Sequence, residues 1–200
     1  LHLPADDREF DYFCVKEAVM PFGRFPGSDV VLGPEMKSTG EVMGIAGNFP
    51  AAFTKTQLAI DYEPPRGGEV FISVNDGDKR NITAIARSIA RLGFSLVATT
   101  GTARALRASG IECEEVGKIH AGSHTILDRI ASGEIVLMIN TPFGSSTNTD
   151  GYEMRAACVR HGVSYCTTLA GAQALIAGME AVRETGLDVI ALQDLPQWEG

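Results

Sequence analysis

The chain has 200 residues, of which 44% are hydrophobic, and its mean hydropathy is close to zero, as expected for one or two globular domains with a buried core. The net charge of −8 and the isoelectric point near 5.0 argue against a protein that binds nucleic acid or an anionic membrane. No apolar run approaches the ~20 residues of a membrane span, and the spacing of the four cysteines predicts free thiols in a cytoplasmic protein and no metal site.

Residues 1 to about 48 are rich in glycine and proline and keep neither helical nor strand periodicity for long, which predicts an irregular segment without a core of its own. The chain begins with Leu1 and shows no signal peptide, so we expect it to be part of a longer protein. Residues 48–60 predict a helix with Asn48 as its cap. Paired prolines and glycines make residues 61–69, DYEPPRGGE, the best candidate for a linker.

From Val70 onward, short apolar strands alternate with amphipathic helices. The predicted strands are 70–74, 94–99, 111–116, 135–140 and 163–168, and the predicted helices are 78–93, 102–110, 123–133, 154–162 and 170–183. Asp128 and Arg129 are interpreted as an exposed pair on the third of these helices. This alternation predicts an α/β protein with a Rossmann-type, parallel, five-stranded sheet flanked by helices.

In such a fold ligands bind at the carboxyl ends of the strands, and polar residues follow each predicted strand here. The segment ATTGTA, residues 98–103, passes from a strand through hydroxyl residues and a glycine directly into a helix. The free backbone N–H groups and the positive end of the helix dipole favour an anion there, and a phosphate most of all. Threonine and glycine are equally typical of ordinary turns and helix caps, so this segment alone leaves both interpretations open.

The segment GPEMKSTGEVMG, residues 33–44, together with VKEAVMPFGRFPG before it, resembles the end of the second ATP-grasp unit of the carbamoyl phosphate synthase large subunit. The segments SVNDGDK, ATTGTA, VGKIHAG and MINTP occur in the order and spacing of that family's C-terminal regulatory domain, which has a methylglyoxal-synthase-like fold. The resemblance implies that residues 1–60 are the tail of the ATP-grasp unit with a connecting helix, 61–69 a linker, and 70–200 the regulatory domain.

What is known of this family implies the function of the longer protein. Carbamoyl phosphate would be made for pyrimidine and arginine synthesis from bicarbonate, glutamine-derived ammonia and two ATP, with Mg or Mn. The implied partners are the upstream ATP-grasp units of the same chain and a small glutaminase subunit. The chemistry would take place upstream of Leu1, so this part of the enzyme would have no catalytic residue and no cofactor of its own.

The resemblance also implies an effector site for a nucleoside monophosphate, with UMP as inhibitor and IMP as activator in bacterial members. Its phosphate-binding positions correspond to Lys79, Thr99, Thr102 and Lys118. Asn140 corresponds to the position beside the base and ribose, where an amide can donate and accept. A threonine of the family is replaced two residues later by Pro142, which leaves the base preference open.

A second effector site, for ornithine, is implied by matches at Glu17, Leu32 and Thr167. The family's aspartate at this site is replaced by Cys166. Because a neutral thiol cannot replace a carboxylate against an ammonium group, we expect ornithine control to be weakened or absent.

Two alternatives remain at this stage. A free-standing methylglyoxal synthase would use the same phosphate site but needs catalytic carboxylates, for which the chain offers Asp150, with Asp76 and Asp78 equally explained as turn residues. A decayed interaction domain without a ligand would explain the substitutions at Pro142 and Cys166.

Overall fold

The computed structural model describes residues 11–20, 22, 30, 38–60, 62–117, 125–142 and 149–194. Strand β1 (Phe13–Val19) pairs antiparallel with β2 (Gly40–Ala46). The prediction that residues 1–48 are irregular throughout is therefore wrong. Glycines weaken an isolated strand, and β2 contains two of them, so its pairing depends on the tertiary structure rather than on local propensity.

Helix α1 (Phe49–Ala59) begins where the sequence predicts. The Asn48 side chain accepts a hydrogen bond from the Ala51 N–H at 2.9 Å, and Pro50 lies in the first turn, where its missing N–H costs nothing. Tyr62, just after the helix, is partly buried against the main core.

The rest of the chain forms the predicted α/β unit. Its elements are β3 (Glu69–Ser73), α2 (Ile82–Arg91), β4 (Ser95–Thr99), α3 (Thr100–Ala108), β5 (Glu114–Val116), α4 (Ile126–Ala131), β6 (Ile135–Asn140), α5 (Thr149–His161), β7 (Ser164–Cys166) and α6 (Leu169–Thr185). The five strands are all parallel, in the order β5-β4-β3-β6-β7. Several boundaries differ from the prediction: β5, β7 and α4 are shorter, α2 begins four residues later, and α5 begins five residues earlier.

The sheet is buried on both faces, as its continuous apolar strands predict. Val70 and Ile72 belong to the core cluster formed with α2, α3 and α6, and Phe71, between them, belongs to the cluster formed with α4 and α5. All three side chains are fully buried. This two-sided burial holds the strand ends, and the loops that follow them, at one edge of the sheet.

Helix α1 lies between the β1–β2 hairpin and α6, and glycines on both neighbours permit the contact. A Cβ at Gly44 of β2 would overlap the carbonyl oxygen of Ala52, and one at Gly178 of α6 would overlap the hydroxyl of Thr54. The hairpin and the α/β unit are thus joined through one helix by close backbone approach.

Arg129 is buried, with 6% of its surface exposed, and so the predicted exposed pair with Asp128 is wrong. Its guanidinium contacts Glu69 and Glu114 at 2.8 Å each, which joins the starts of β3 and β5. Asp128 instead forms a capping box with Thr125 at the start of α4. A periodic pattern places a side chain on a helix face but does not say which carboxylates from other elements will contact it.

Candidate functional site

A cavity of about 370 Å³ opens at the carboxyl ends of the parallel strands. Its lining comes from the segments that follow four strands: Ser73–Asn75 after β3, Thr99–Gly101 after β4, Val116 and Gly117 after β5, and Asn140–Pro142 after β6. The first turns of α5 close one side with Asp150, Gly151, Met154 and Arg155. Because the connections leave β3 and β6 in opposite directions, this edge is the point where parallel α/β sheets bind ligands.

The turn after β3 is held by Asn75. Its side-chain oxygen accepts from the Asp78 N–H at 3.2 Å, and this forms a short 3-10 turn, Asp76–Asp78. The Asn75 backbone N–H and amide both donate to the Thr141 hydroxyl, at 3.0 and 3.1 Å. The loops that follow β3 and β6 are therefore fixed to one another.

The start of α3 forms the floor of the cavity. Thr99 is the N-cap residue, but its hydroxyl lies 3.4 Å from the Ser73 hydroxyl and 3.3 Å from that of Thr102 and does not cap the helix. Thr102 is 1% exposed, accepts from the Val74 N–H at 3.2 Å and supports the floor from below. The N–H groups of the first turn of α3 therefore lack a side-chain cap from Thr99.

The Lys79 ammonium lies over this helix start. A Cβ added at Gly101 would be 2.8 Å from Lys79 Nζ, so the ammonium lies against the glycine and would have to shift for a larger residue. Lys79 also forms an ion pair with Asp76. The hydrogen bond from Lys79 and its positive charge lower the pKa of the Asp76 carboxyl. A cation at the positive end of a helix is unfavourable by itself, and an anion bound between the two would be attracted by both.

Asn140 stands at the opposite side of the cavity and is 6% exposed. Its Nδ2 donates to the Ser73 carbonyl oxygen at 3.2 Å, and its Oδ1 accepts from Arg155 Nη1 at 2.8 Å. Arg155 is 4% exposed. The sequence analysis missed Arg155 and Gly151. The pattern that could have indicated them is their i, i+4 spacing after the polar end of β6, which places both on one face of a helix.

Four residues of the predicted nucleotide site thus lie at or next to the cavity. Thr99 and Asn140 line it, Lys79 lies over its floor at Gly101, and Thr102 is buried beneath the floor. Lys118 lies outside the described residues.

Among the residues of the predicted ornithine site, Glu17 lies on β1 and contacts α1, whereas Thr167 follows directly after β7. Glu17 accepts hydrogen bonds from the Thr56 hydroxyl at 2.6 Å and from the Gln57 amide at 2.5 Å. Burial, with a further contribution from the Glu17 charge, raises the pKa of the Cys166 thiol to about 12. Thr167, which follows Cys166, is partly buried, and Leu32 lies outside the described residues. The position of the family's aspartate is therefore neutral at physiological pH.

Two kinds of feature are absent from the residues that the structure describes. Within that part of the chain no helix is both long enough and apolar enough to cross a bilayer. Nor do the described His, Cys, Asp and Glu side chains form a group of three suited to a metal ion.

Comparison with known proteins bears on this geometry. The MGS-like domain family matches residues 81–167, from just before α2 to just after β7. This part of the chain is similar to an MGS-like domain. The predicted α/β fold with its parallel five-stranded sheet is confirmed. The structure of methylglyoxal synthase from Elizabethkingia anophelis NUHP1 aligns with 56% of this chain and 78% of that protein, at 19% identity and a TM-score of 0.45. This likeness is too weak to support an assignment.

The sequence similarity extends beyond the MGS-like domain. The chain is 53% identical over 182 residues to the C-terminal section of the carbamoyl phosphate synthase large chain of Methanopyrus kandleri, covering 90% of this chain and 34% of the relative. It is 47% identical over 186 residues to the large chain of the same enzyme from Myxococcus xanthus, covering 93% of this chain and 17% of the relative. The predicted resemblance to this large chain is confirmed, although the chain spans only a minor part of these relatives.

Proposed function

We propose that this chain is the allosteric regulatory portion of a glutamine-dependent carbamoyl phosphate synthase large subunit and that it binds a nucleoside monophosphate such as UMP or IMP. Residues 1–60 would end the second ATP-grasp unit, 61–69 would link it, and 70–200 would form the effector domain. Upstream ATP-grasp units would carry out the ATP- and Mg- or Mn-dependent synthesis of carbamoyl phosphate with ammonia from a small glutaminase subunit. This portion would have no catalytic residue and no cofactor of its own.

The observation that carries the proposal is the Lys79 ammonium above the first turn of α3 at Gly101. An ammonium and a helix N-terminus that face one point form an anion site, and a phosphate with up to two negative charges fits it best. The Asp76 carboxylate pairs with the same ammonium. Lys118, two residues after β5 in the sequence, would add a second ammonium.

The rest of the cavity suits a nucleoside. Its volume lies at the lower end of the ~300–1,000 Å³ typical of ligand pockets. Apolar walls from Phe71, Ile126 and Met154 can pack against a base, and Asn140 supplies one of its polar contacts. The phosphate at one end and the amide at the other give the ligand one orientation.

The proposal includes a weak or absent response to ornithine. Glu17 is already satisfied by Thr56 and Gln57, and Cys166 holds a neutral thiol where an ammonium would need a carboxylate. At this site the described residues would therefore offer a diamine one carboxylate, Glu17, which already accepts hydrogen bonds from Thr56 and Gln57.

Calorimetric titration of UMP and IMP into the chain tests the effector site. We expect Lys79→Ala and Lys118→Ala each to weaken binding by about 1.5–3 kcal/mol, the value of a charge-assisted hydrogen bond, with little loss of thermal stability. Arg80→Ala, beside Lys79 and exposed, is the matched control and should leave the affinity unchanged. Equal affinities for Lys79→Ala and the unsubstituted chain would place the phosphate elsewhere, and turnover of dihydroxyacetone phosphate would favour a methylglyoxal synthase instead.

A further inference from the structure

The Asn140 amide is held at both of its ends. Arg155 Nη1 donates to Oδ1 at 2.8 Å, and Nδ2 donates to the backbone oxygen of Ser73 at 3.2 Å. If the amide were rotated by half a turn, its NH2 would face the guanidinium and its oxygen would face a carbonyl, which makes two repulsive contacts in a buried place. One lone pair of Oδ1 and one N–H of Nδ2 are left in a known orientation.

Arg155 itself is an unusual residue to bury. It is 4% exposed, belongs to α5 and lines the same cavity as Asn140. Removing a guanidinium from water is costly unless its contacts are well made, and its rigid, planar group orients an acceptor better than a lysine does. The guanidinium is always charged and holds its N–H donors in a fixed planar arrangement, so its contact with Asn140 is specific in direction.

Gly151 provides the space for this contact. It lies one turn before Arg155 in α5, and a Cβ there would be 3.0 Å from Arg155 Nη1 and 3.5 Å from Asn140 Oδ1. Glycine within a helix is less favourable than alanine, so the helix gains nothing from it. A methyl group at this position would press on the hydrogen bond itself.

We propose that Arg155 is a positioning residue that fixes the Asn140 amide and thereby sets how strongly the site holds the nucleoside part of a nucleoside monophosphate. The phosphate is held by a separate group of residues around Lys79 and α3. This inference rests on the proposed function and adds to it the residue that determines nucleoside recognition. It acts through Asn140 and not by contact with the phosphate.

The test compares the affinity of the chain for UMP with its affinity for inorganic phosphate, both by calorimetric titration. Arg155→Met should lower the ratio of the two affinities by about tenfold, with the phosphate affinity itself nearly unchanged. In an Asn140→Ala background, the same substitution should change the ratio by less than about twofold, because the amide it positions is gone. Arg160→Met is the matched control on the exposed side of the same helix and should change nothing.

Gly151→Ala keeps the guanidinium and favours the helix, so it decides the matter even if Arg155→Met does not fold. We expect it to remain folded, because alanine favours the helix, and to lower the affinity ratio about threefold or more. An unchanged ratio in Gly151→Ala and Arg155→Met, or an equal fall with and without Asn140, would overturn the positioning role. If the unsubstituted chain bound phosphate and bound UMP no more tightly, this inference alone would fail; if it bound neither, the proposed function would fail with it.

Discussion

The five-stranded sheet and the β1–β2 hairpin are stabilised by opposite means. The sheet is filled by large side chains, such as Phe71, Ile72 and Ile139, that are fully buried between two layers of helices. The hairpin packs through Ala46, Ala51 and Ala52, with only partly buried hydrophobic residues around them. Removing volume should therefore damage the sheet, whereas adding volume should damage the hairpin.

The largest effect is expected in the sheet. Ile139→Ala should lower the free energy of unfolding by about 4 kcal/mol, because the surrounding residues cannot fill the cavity that it leaves. Urea titration followed by circular dichroism would measure it. Val189→Ala, at a residue that is 98% exposed, is the control and should change stability by less than about 0.5 kcal/mol. A small loss at Ile139 would mean that the core is loosely packed and would remove one side of the comparison.

The hairpin should respond to added volume. Gly44→Ala directs a methyl group into the backbone of α1, and we expect it to cost about 2–3 kcal/mol, confined to β1, β2 and α1. Amide hydrogen exchange would show faster opening of these elements, with the five-stranded sheet still protected. Gly40→Ala, on the same strand with no atom within 4 Å, is the control. Loss of protection throughout the chain would show that the two regions unfold as one.

The charge of Glu17, on the hairpin, acts on the Cys166 thiol at the end of β7 and so links the two regions electrostatically. In a full-length synthase of the proposed function, Cys166→Asp should strengthen activation by ornithine by about 1–3 kcal/mol of coupling free energy, since it would supply the missing carboxylate. Activity across an ornithine series at subsaturating ATP would measure it, with Cys166→Asn as the uncharged control. Strong ornithine activation of the unsubstituted enzyme would contradict the premise.

The smallest effect concerns the thiols of the two regions. Cys14 on the hairpin is exposed, whereas burial raises the pKa of Cys158 to about 12. Iodoacetamide should therefore label Cys14 first in the native chain, and mass spectrometry would show the order in which the cysteines are labelled.

Burial of Cys158 also makes the free energy of unfolding depend on pH. The neutral Cys158 thiol contributes to stability below its unfolded pKa near 9, and this contribution is lost as the pH rises toward 12. Cys158→Ala should flatten the alkaline loss of stability; an unchanged slope would assign that loss to other groups.

Local patterns predicted much of this molecule. Helix α1 has its cap at Asn48, and the strand that ends at Asn140 begins and ends as its apolar run does, because capping and continuous hydrophobicity act within a few residues. The hairpin was missed because β1 and β2 are separated by a glycine- and proline-rich segment, and neither is a strong strand without the other. Arg129 was misplaced because its carboxylate partners, Glu69 and Glu114, are distant in the sequence.

The candidate site divides in the same way. The sequence by itself determined that hydroxyl and amide residues would follow the strands, and that parallel strands would bring them to one edge, since both properties depend on residue order and alternation. Only the tertiary structure decided that the Lys79 ammonium would lie over Gly101 and that Arg155 would orient Asn140. The physical reason is range: periodicity and capping extend over one or two helical turns, whereas each of these contacts joins different elements and exists only once the sheet and its helices have packed.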